Sequence, residues 1–431
     1  MLKDARFSLA DVAIPAAVAA AFALLAVWRL ETPPKMVFDE KFHALYAMDY
    51  LAGKEPDGCV QPPLAILMIA SSILALGGQA DLASTIWTAY SAFSWRFGSL
   101  VVGTLTLLVM YALTRCLFNK RAVAALAMSL LALDGVFFVQ SRVAMTNIFT
   151  VFFVLLSTLG LCLYMKSGRD RWLLMMGFEL GCAIACRWTG LFAWGLIGLL
   201  LLWHVWRTKW PQWSARESCA WTAKAVVSMC IVPLLIYVCA YVPYVMEDNV
   251  KDHSWSRVVS LQKTMWQFHA STPEGWPGSS PWWSWPLLKK PMVYYVNDEG
   301  QGKMAMTWAI GNAFIWWASV PALLAAGYFS WRRKTRDLAV IACLGLGLWL
   351  LWAIQPRPVL YTHYMFESIP FACMAIAYCC HSFWSQNGLR LIVSLYLALV
   401  PIWFFIFYPL LSAMPVSVKF CNQLMWFGRS W

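Results

Sequence analysis

The sequence predicts an all-α, multi-spanning membrane protein, and two observations carry that prediction. Of its 431 residues, 61% are hydrophobic and only 13% are charged, which is about half the charged fraction of an ordinary soluble domain. The apolar residues are gathered into runs of roughly 17 to 25, the length that a helix needs to cross the hydrocarbon core of a bilayer. These two features exclude a water-soluble globular protein.

About eleven of the apolar runs are long enough to be transmembrane helices. They cover residues 12–30, 92–117, 122–138, 148–165, 172–186, 191–206, 221–244, 306–329, 338–354, 364–381 and 389–410. A shorter apolar run at 65–76 lies between Pro63 and Gly77. Its length suits a helix at the membrane interface better than a span, so we leave it out of the count.

The distribution of Lys and Arg between the loops predicts the orientation of the chain. Basic residues cluster in every second loop, as at Arg115, Lys120 and Arg121, and only the last inner turn, with Arg390 alone, is poor in them. By the positive-inside rule the N-terminus is cytoplasmic. Loop 31–91, with seven acidic residues, then lies on the outer face. The net charge of +12 therefore reflects topology, and we expect no nucleic-acid partner.

We expect one membrane-embedded domain over residues 1–431, with two long outer loops that can build a site. Loop 31–91 gathers ionisable residues, whereas loop 245–305 is rich in tryptophan. Flat aromatic faces suit sugar rings, but tryptophan also anchors loops to the membrane interface. Both interpretations of the tryptophans remain open from composition alone.

The stretch MVFDEKFHALYAMDYL holds the candidate catalytic residues Asp39, Glu40 and His43. Its apolar residues recur at helical spacing, so we expect an amphipathic helix at the interface. Neighbouring helical residues project about 100° apart, so Asp39 and Glu40 need different roles, and His43 can pair with either of them. An acidic helix end stabilised by the helix dipole is the structural alternative. A metal site is conceivable here, but without an HExxH motif or a Cys cluster we expect none.

Four arginines lie at or near the outer helix ends, where the positive-inside rule does not explain them. They are Arg96, Arg142, Arg187 and Arg357. An arginine at the membrane boundary either snorkels to lipid headgroups or pairs with an anion. Four on one face indicate an anionic ligand such as a phosphate.

A series of short motifs, taken in order along the chain, resembles the protein O-mannosyltransferase family. The series consists of FDE at 38–40 with His43, PPL at 62–64, WRFGSL with Arg96, QSR at 140–142, RWTGL at 187–191, SSPWWSWPL at 279–287, IGN at 310–312 and HY at 363–364. It covers nearly the whole chain. The second outer loop is short, as in the bacterial members of this family.

The resemblance implies a GT-C type membrane glycosyltransferase with interfacial helices on the outer face. Such an enzyme moves mannose, with inversion, from polyprenyl-phosphate-mannose to Ser or Thr hydroxyls of exported polypeptides during their translocation. It works in the lipid bilayer of the bacterial plasma membrane, and its lipid-linked donor is a substrate, so no cofactor and no metal are expected. One carboxylate base and a few arginines suffice for this chemistry.

The resemblance also suggests roles for individual residues. Asp39 matches the family's catalytic aspartate, and Glu40 and His43 would orient the base or the acceptor. Because they lie on the predicted outer side and carry a positive charge, the four arginines would contact the donor phosphate or headgroup. Contacts to sugar or acceptor would come from Trp282, Trp283, Trp285, Asn312, His363 and Tyr364.

The chain departs from the family pattern at two places. Asn147 stands where many members have an aspartate, and a neutral amide can serve neither as a base nor as a salt-bridge partner. PEGWPGSS, with Trp276 to Gly278, replaces a common His-Pro-Tyr run. Both departures bear on the sugar and the acceptor more than on the reaction class.

Three alternatives stay open at this point. Another polyprenyl-phosphate-sugar glycosyltransferase, acting on lipid A or a cell-wall polymer, would share the carboxylate and the arginines, although SSPWWSWPL and IGN favour protein mannosylation. A lipid-linked sugar transporter would need charges near the bilayer midplane and an internal repeat, but such charges are few, Glu179 being the clearest, and no repeat is evident. A non-catalytic subunit is the third alternative.

Overall fold

The computed structural model describes residues 8–56, 58–77, 91–246, 253–271 and 277–425. The first half of the chain is helical in these ranges. Its helices are α1 (Ala10–Val27), α2 (Glu40–Leu51), α3 (Leu64–Leu76), α4 (Ala92–Phe118), α5 (Arg121–Ala132), α6 (Gly135–Gln140), α7 (Thr146–Ser167), α8 (Asp170–Cys186) and α9 (Gly190–Thr208).

The second half adds further helices and a small sheet. Its helices are α10 (Ala215–Val226), α11 (Val232–Ala240), α12 (Val242–Val245), α13 (Ser256–Ser271), α14 (Ala313–Arg333), α15 (Arg336–Leu350), α16 (Ile369–Trp384), α17 (Asn387–Leu411) and α18 (Val418–Leu424). A π-helical turn at Val227–Ile231 joins α10 to α11, and short 3₁₀ helices lie at Trp210–Gln212, Trp282–Leu287, Leu351–Ile354 and Thr362–Glu367.

The multi-spanning membrane architecture is confirmed. Within the described ranges, eight helices are long and apolar enough to cross a membrane, and each coincides with a predicted span. The other three predicted spans correspond to α5, α8 and α16, which have 12, 17 and 16 residues. These are shorter than the roughly 20 residues of a full crossing. Residues 65–76, which we set apart from the spans, form α3.

Predicted span 122–138 is interrupted by a buried carboxylate. The Asp134 side chain accepts the backbone N–H of Phe137 at 3.0 Å and so caps α6. Its other oxygen accepts the backbone N–H of Asn312 at 3.0 Å and the indole N–H of Trp316 at 2.7 Å. A buried carboxylate with three N–H donors is well satisfied. The break therefore joins α6 to the start of α14.

A three-stranded antiparallel sheet corrects the prediction for residues 306–329. Its strands, in the order β1, β2, β3, are β1 (Met292–Gly300), β2 (Lys303–Ala309) and β3 (Val416–Ser417). The helix that we expected from Met306 begins at Ala313 instead. Residues 305–309 of β2 are all buried, and a strand covered on both faces gives a continuous apolar run that cannot be told from part of a helix.

The two loops that we predict on the outer face contain short helices and strands. Loop 31–91 contains α2 and α3, and loop 245–305 contains α13, the 3₁₀ helix Trp282–Leu287, all of β1 and the start of β2. One contiguous cluster of buried apolar side chains extends from α1 to α17. Because this core includes residues of α2 and β1, both loops are packed onto the helix bundle.

Candidate functional site

Asp39 lies immediately before α2, after a residue with strained backbone. Phe38 has a φ of 47°, which is uncommon for a residue with a side chain and is typical of functional sites. Its ring stacks on Tyr294 at 4.5 Å between centroids, with 3° between the ring planes. A bulge of β1 between Val293 and Tyr295 turns Tyr294 toward this position. The stack fixes the direction in which α2 begins.

The Asp39 carboxylate is half-buried, and no described residue donates a hydrogen bond to it. Its charge nevertheless affects its neighbours. Burial and then Asp39 raise the pKa of Tyr294 well above its usual range. Burial, Tyr364 and Asp39 raise the pKa of Tyr361 to about 12. Because its lone pairs are free, Asp39 can accept a proton from an incoming hydroxyl.

Glu40 is fully buried, and both of its oxygens are occupied. Oε1 accepts Nε of Arg96 at 2.9 Å and the backbone N–H of Ala144 at 3.1 Å. Oε2 accepts Nη2 of Arg96 at 2.8 Å and the backbone N–H of Val37 at 3.0 Å. Four donors around one carboxylate leave no room for a substrate. Glu40 fastens the start of α2 to α4 and to the segment that precedes α7.

Arg96 is also fully engaged, which contradicts our expectation that it contacts the donor phosphate. Besides its bidentate pair with Glu40, Nη1 donates to the carbonyls of Leu30 and Pro33, both at 2.9 Å, and Nη2 donates to that of Lys35 at 3.0 Å. All five N–H groups of the guanidinium therefore have protein partners, and the side chain is buried. Arg96 holds the segment between α1 and α2 in place.

Arg142, like Arg96, holds part of the backbone in place. Its Nη1 donates to the carbonyls of Ala26 and Trp28, and Nη2 donates to that of Arg29 at 2.9 Å. These carbonyls stand at the end of α1, where helices have unpaired acceptors and a partial negative charge. The residue is 4% exposed. Its geometry thus favours a helix cap over the expected headgroup contact.

His43 lies one turn into α2 and is buried. Its Nδ1 lies 3.1 Å from the carbonyl of Ala144, the residue whose N–H binds Glu40. Burial lowers the pKa of His43 against the opposing charge of Asp39. The neutral ring then donates from Nδ1 and keeps Nε2 as a free acceptor. Glu40 and His43 together dock α2 onto the backbone of Ala144.

Arg187 and Arg357 keep N–H groups that no described residue accepts, and both line one pocket. The Arg187 guanidinium lies 4.8 Å from the ring centroid of Tyr364, and that of Arg357 lies 5.6 Å from it. Nη1 of Arg187 donates to the amide oxygen of Asn147. Both arginines line an open pocket of about 160 Å³. The anion site that we expect from these two arginines stays a prediction.

The rest of the cavity wall is largely aromatic and apolar. It includes Gln61, Trp188, Leu191, Phe192, Trp266, His269 and Trp352. Asp39 and Arg187 both act electrostatically on His43 and on Tyr294. Asp39 and Arg187 are therefore close enough to act on the same two side chains.

The three tryptophans of SSPWWSWPL do not face one ligand. Trp285 is fully buried and donates to the carbonyl of Ser280 at 3.1 Å, so the structure contradicts a sugar contact for it. Trp282 packs against Trp349 of α15. Trp283 is 54% exposed and is the one of the three whose indole is open to solvent or a ligand.

Asn312 is a helix cap, contrary to our expectation of a sugar contact. Its Oδ1 accepts the N–H of Phe314 at 3.2 Å, and its Nδ2 donates to the carbonyls of Leu133 and Val400 at 3.0 and 2.9 Å. The residue is fully buried. It connects the start of α14 to α5 and α17.

His363 and Tyr364 do lie beside the candidate base and the arginines. The His363 ring stacks on Tyr361 at 5.7 Å and meets Tyr294 edge-on at 5.9 Å. Its Nδ1 is buried with no partner in the described part of the chain, and buried polar atoms of this kind usually have a ligand or water. Tyr364 stacks on Trp352 at 4.6 Å beneath both arginines.

Sequence reasoning missed three residues of this site. Gln140 donates from Nε2 to the Tyr294 hydroxyl at 2.7 Å, and its buried Oε1 lacks a described partner. His269 contacts Arg357. Gln140 belongs to the QSR motif at 140–142, so that motif could have identified it as a site residue. No motif in the sequence pointed to Tyr294 or His269. The departure at Trp276 lies outside the described residues.

The described residues contain no group of three or more His, Cys, Asp or Glu side chains placed to hold a metal ion. Asp39, Glu40 and His43 are close in sequence, but Glu40 points to Arg96 and His43 points to Ala144. The three side chains therefore do not converge on one point.

Comparison with known proteins identifies the family. Residues 17–247 match the family described as dolichyl-phosphate-mannose-protein mannosyltransferase, and residues 254–431 match the C-terminal four TMM region of protein-O-mannosyltransferase. A polyprenol-phosphate-mannose–protein mannosyltransferase of Corynebacterium glutamicum is 25% identical, over 92% of this chain and 88% of its own. One from Mycobacterium tuberculosis is 24% identical, over 90% and 85%.

Solved structures share the fold. The Saccharomyces cerevisiae protein O-mannosyltransferase Pmt1–Pmt2 complex bound to the sugar donor matches with a TM-score of 0.83 and 15% identity, over 98% of this chain and 93% of the other. ArnT from Cupriavidus metallidurans bound to undecaprenyl phosphate matches with a TM-score of 0.57 and 14% identity, over 94% and 74%. These are membrane glycosyltransferases of the GT-C type. With both family regions matched along almost its whole length, the chain belongs to the dolichyl-phosphate-mannose-protein mannosyltransferase family.

Proposed function

We propose that this protein transfers mannose from a polyprenyl-phosphate-mannose donor to Ser or Thr hydroxyls of exported proteins. The family membership and the names of the relatives support the donor and the acceptor. The observation that carries the proposal is the carboxylate of Asp39, to which no described residue donates a hydrogen bond and which acts electrostatically on the same tyrosines as Arg187 and Arg357. A base and an anion site next to each other are what this reaction requires.

The proposed reaction is a single displacement at the anomeric carbon. Asp39 takes the proton of the acceptor hydroxyl while the hydroxyl oxygen forms a bond to that carbon. The bond from the carbon to the phosphate oxygen breaks on the opposite face, so the configuration inverts. The phosphate leaves with the electron pair, and Arg187 and Arg357 stabilise the charge that it gains.

The neighbouring residues would support this step without taking the proton. Glu40, through Arg96 and Ala144, fixes the backbone on which Asp39 sits. His43 and His363 offer ring nitrogens for hydrogen bonds to the acceptor or the sugar, and the exposed indole of Trp283 offers a stacking face. Arg142 acts on the site indirectly, by fixing the end of α1.

We further propose that the site lies on the outer face of a bacterial plasma membrane, with a cytoplasmic N-terminus. The acidic first outer loop and the alternation of basic loops support this orientation. The partners on that side would be the lipid-linked donor and polypeptides that emerge there. We expect the reaction to need no cofactor, because the lipid-linked donor is itself a substrate.

The test is mannosyl transfer by the purified chain in detergent, with radiolabelled polyprenyl-phosphate-mannose and a Ser/Thr-rich peptide. We expect Asp39→Asn to lower transfer at least ~100-fold, the scale of losing a general base. Asp298→Asn, the same change on the exposed tip of the β-hairpin, is the matched control and should leave transfer intact. Unchanged transfer by Asp39→Asn would remove Asp39 from the role, and transfer only to a lipid or glycan acceptor would refute protein mannosylation.

A further inference from the structure

His269, near the end of α13, connects two other outer segments through its ring. Its Nδ1 lies 2.8 Å from Nη1 of Arg357, and its Nε2 lies 3.0 Å from the carbonyl oxygen of Val60. A guanidinium can only donate and a carbonyl can only accept. Nδ1 must therefore be the bare acceptor and Nε2 must carry the proton. This pair of contacts selects the neutral ring and one tautomer.

The contact with His269 restricts how Arg357 can point. The Nε of Arg357 donates to the carbonyl of Val359 at 3.0 Å, and Nη1 donates to His269, so two directions of the planar guanidinium are fixed. Arg357 lines the same pocket as Arg187, and both guanidinium groups lie over the ring of Tyr364. A guanidinium held this way has lost part of its freedom before a ligand arrives.

A neutral partner is also the right one electrostatically. No described carboxylate forms a salt bridge with Arg357 or with Arg187. An aspartate in place of His269 would orient Arg357 but would cancel much of its charge. An imidazole orients the guanidinium and leaves its full charge for an anion.

We propose that His269 is a positioning residue, which as a neutral acceptor aims Arg357 at the phosphate of the lipid-linked donor. This inference rests on the proposed function, because it takes the cavity between Arg187 and Arg357 as the donor phosphate site. His269 itself need not touch the donor. Its effect passes through Arg357.

The surroundings of His269 keep it neutral. Burial, Arg357 and Arg187 together lower its pKa to about 4, against the opposing effect of the hydrogen bond to the Val60 carbonyl. Its other ring neighbours, Trp188 at 6.0 Å and Phe268 at 5.4 Å, carry no charge. The charged groups that face the ring are thus cations, which oppose a second proton.

Two substitutions separate the two hydrogen bonds. An asparagine amide reaches the place of Nδ1, so His269→Asn keeps an acceptor for Arg357 and loses the tie to Val60. A glutamine amide reaches the place of Nε2, so His269→Gln keeps the donor to Val60 and loses the acceptor for Arg357.

We expect His269→Gln to raise the KM for the lipid-linked donor about tenfold, with little change in the KM for the peptide. A tenfold change corresponds to about 1.4 kcal/mol. His269→Asn should stay within about threefold of the wild type. The reverse order would mean that the Val60 tie matters and would overturn the proposal.

A binding measurement keeps this inference separate from the proposed function. Trp188 and Trp266 line the cavity, so quenching of tryptophan fluorescence can report titration of the full chain with polyprenyl phosphate. We expect weaker binding by His269→Gln than by His269→Asn and wild type, even if no mannose is transferred. His253→Gln is the control, since His253 bonds the backbone of Val245 instead. Equal affinities for all four proteins would refute the role of His269.

Discussion

Two adjacent carboxylates in this site, Asp39 and Glu40, have opposite surroundings. Glu40 is enclosed by four N–H donors, whereas no described donor reaches Asp39. Because successive helical positions project about 100° apart, the two side chains point in different directions and meet different neighbours. A side chain with every lone pair occupied stabilises the fold, and one with free lone pairs is available for chemistry. We therefore expect substitutions at the two positions to fail in different ways.

Glu40→Gln should unfold the site without a specific effect on proton transfer. The change leaves the buried guanidinium of Arg96 without its counter-charge and forces an amide N–H₂ against a donor. Breaking a buried ion pair in this way costs about 3 to 5 kcal/mol. The measurement is the free energy of unfolding in mixed micelles, followed by tryptophan fluorescence. Lys41→Gln, at the exposed neighbouring position, should change it little, and equal stability of Glu40→Gln and wild type would contradict the structural role.

Asn147→Asp tests the charge of the arginine pair. The Asn147 amide oxygen accepts Nη1 of Arg187, so an aspartate there would form a buried ion pair and reduce the charge that Arg187 offers to a phosphate. We expect the donor KM to rise about tenfold, which is about 1.4 kcal/mol of donor binding. Gln301→Glu makes the same amide-to-carboxylate change at the exposed hairpin turn and should leave KM unchanged. A lower KM in Asn147→Asp would place the phosphate elsewhere.

At the scale of elements, apolar length and charge predicted the helices well but said little about what each polar group contacts. The spans emerged because apolar runs of sufficient length have few other uses. Arg96 and Asn312 were mistaken for ligand contacts because their partners, the Leu30 carbonyl and the Val400 carbonyl, are distant in sequence. β2 was mistaken for the start of a helix because it is covered on both faces. Such long-range pairings are properties of the fold and leave no local pattern.

The docking of α13 should depend on pH through His269. Burial and the nearby arginines hold the pKa of His269 at about 4, below its ordinary value of 6.5, so the docked segment prefers the neutral ring. The undocked segment takes up a proton near pH 6.5. The docked state of α13 is therefore most stable above about pH 6.5 and is destabilised as the pH falls toward about 4.

Hydrogen exchange of the α13 amides between pH 7 and pH 5, corrected for intrinsic rates, measures this effect. We expect local protection to fall over that interval in the wild type. In His269→Asn, which cannot titrate, protection should be lower but independent of pH there. A pH-dependent loss of the same size in His269→Asn would assign the effect to another group.

At the scale of the whole molecule, one core links the membrane helices to the segments that we predict on the outer face. Buried apolar residues run without a break from α1 to α17 and include Tyr46 of α2 and Tyr294 of β1. The candidate base and the arginine pair thus lie on segments that are joined to the membrane helices by this one core. Asp39 precedes α2, Arg187 ends α8, and Arg357 follows α15. Asp39, Arg187 and Arg357 can form one site only if the ends of these elements that carry them lie on the same side of the membrane.

That requirement gives a topology prediction for the intact protein. Lys54, after α2, and Arg332, at the end of α14, are both exposed and should lie on opposite sides of the membrane. In spheroplasts we expect a membrane-impermeant maleimide to label Lys54→Cys, and to label Arg332→Cys only after lysis. The wild type, with its native cysteines, gives the background, and an Asp298→Cys variant on the hairpin should behave like Lys54→Cys. Labelling of Arg332→Cys in intact spheroplasts, with Lys54→Cys protected, would move the site to the cytoplasmic face and overturn the proposed acceptor, because exported chains meet the membrane protein on the outer side.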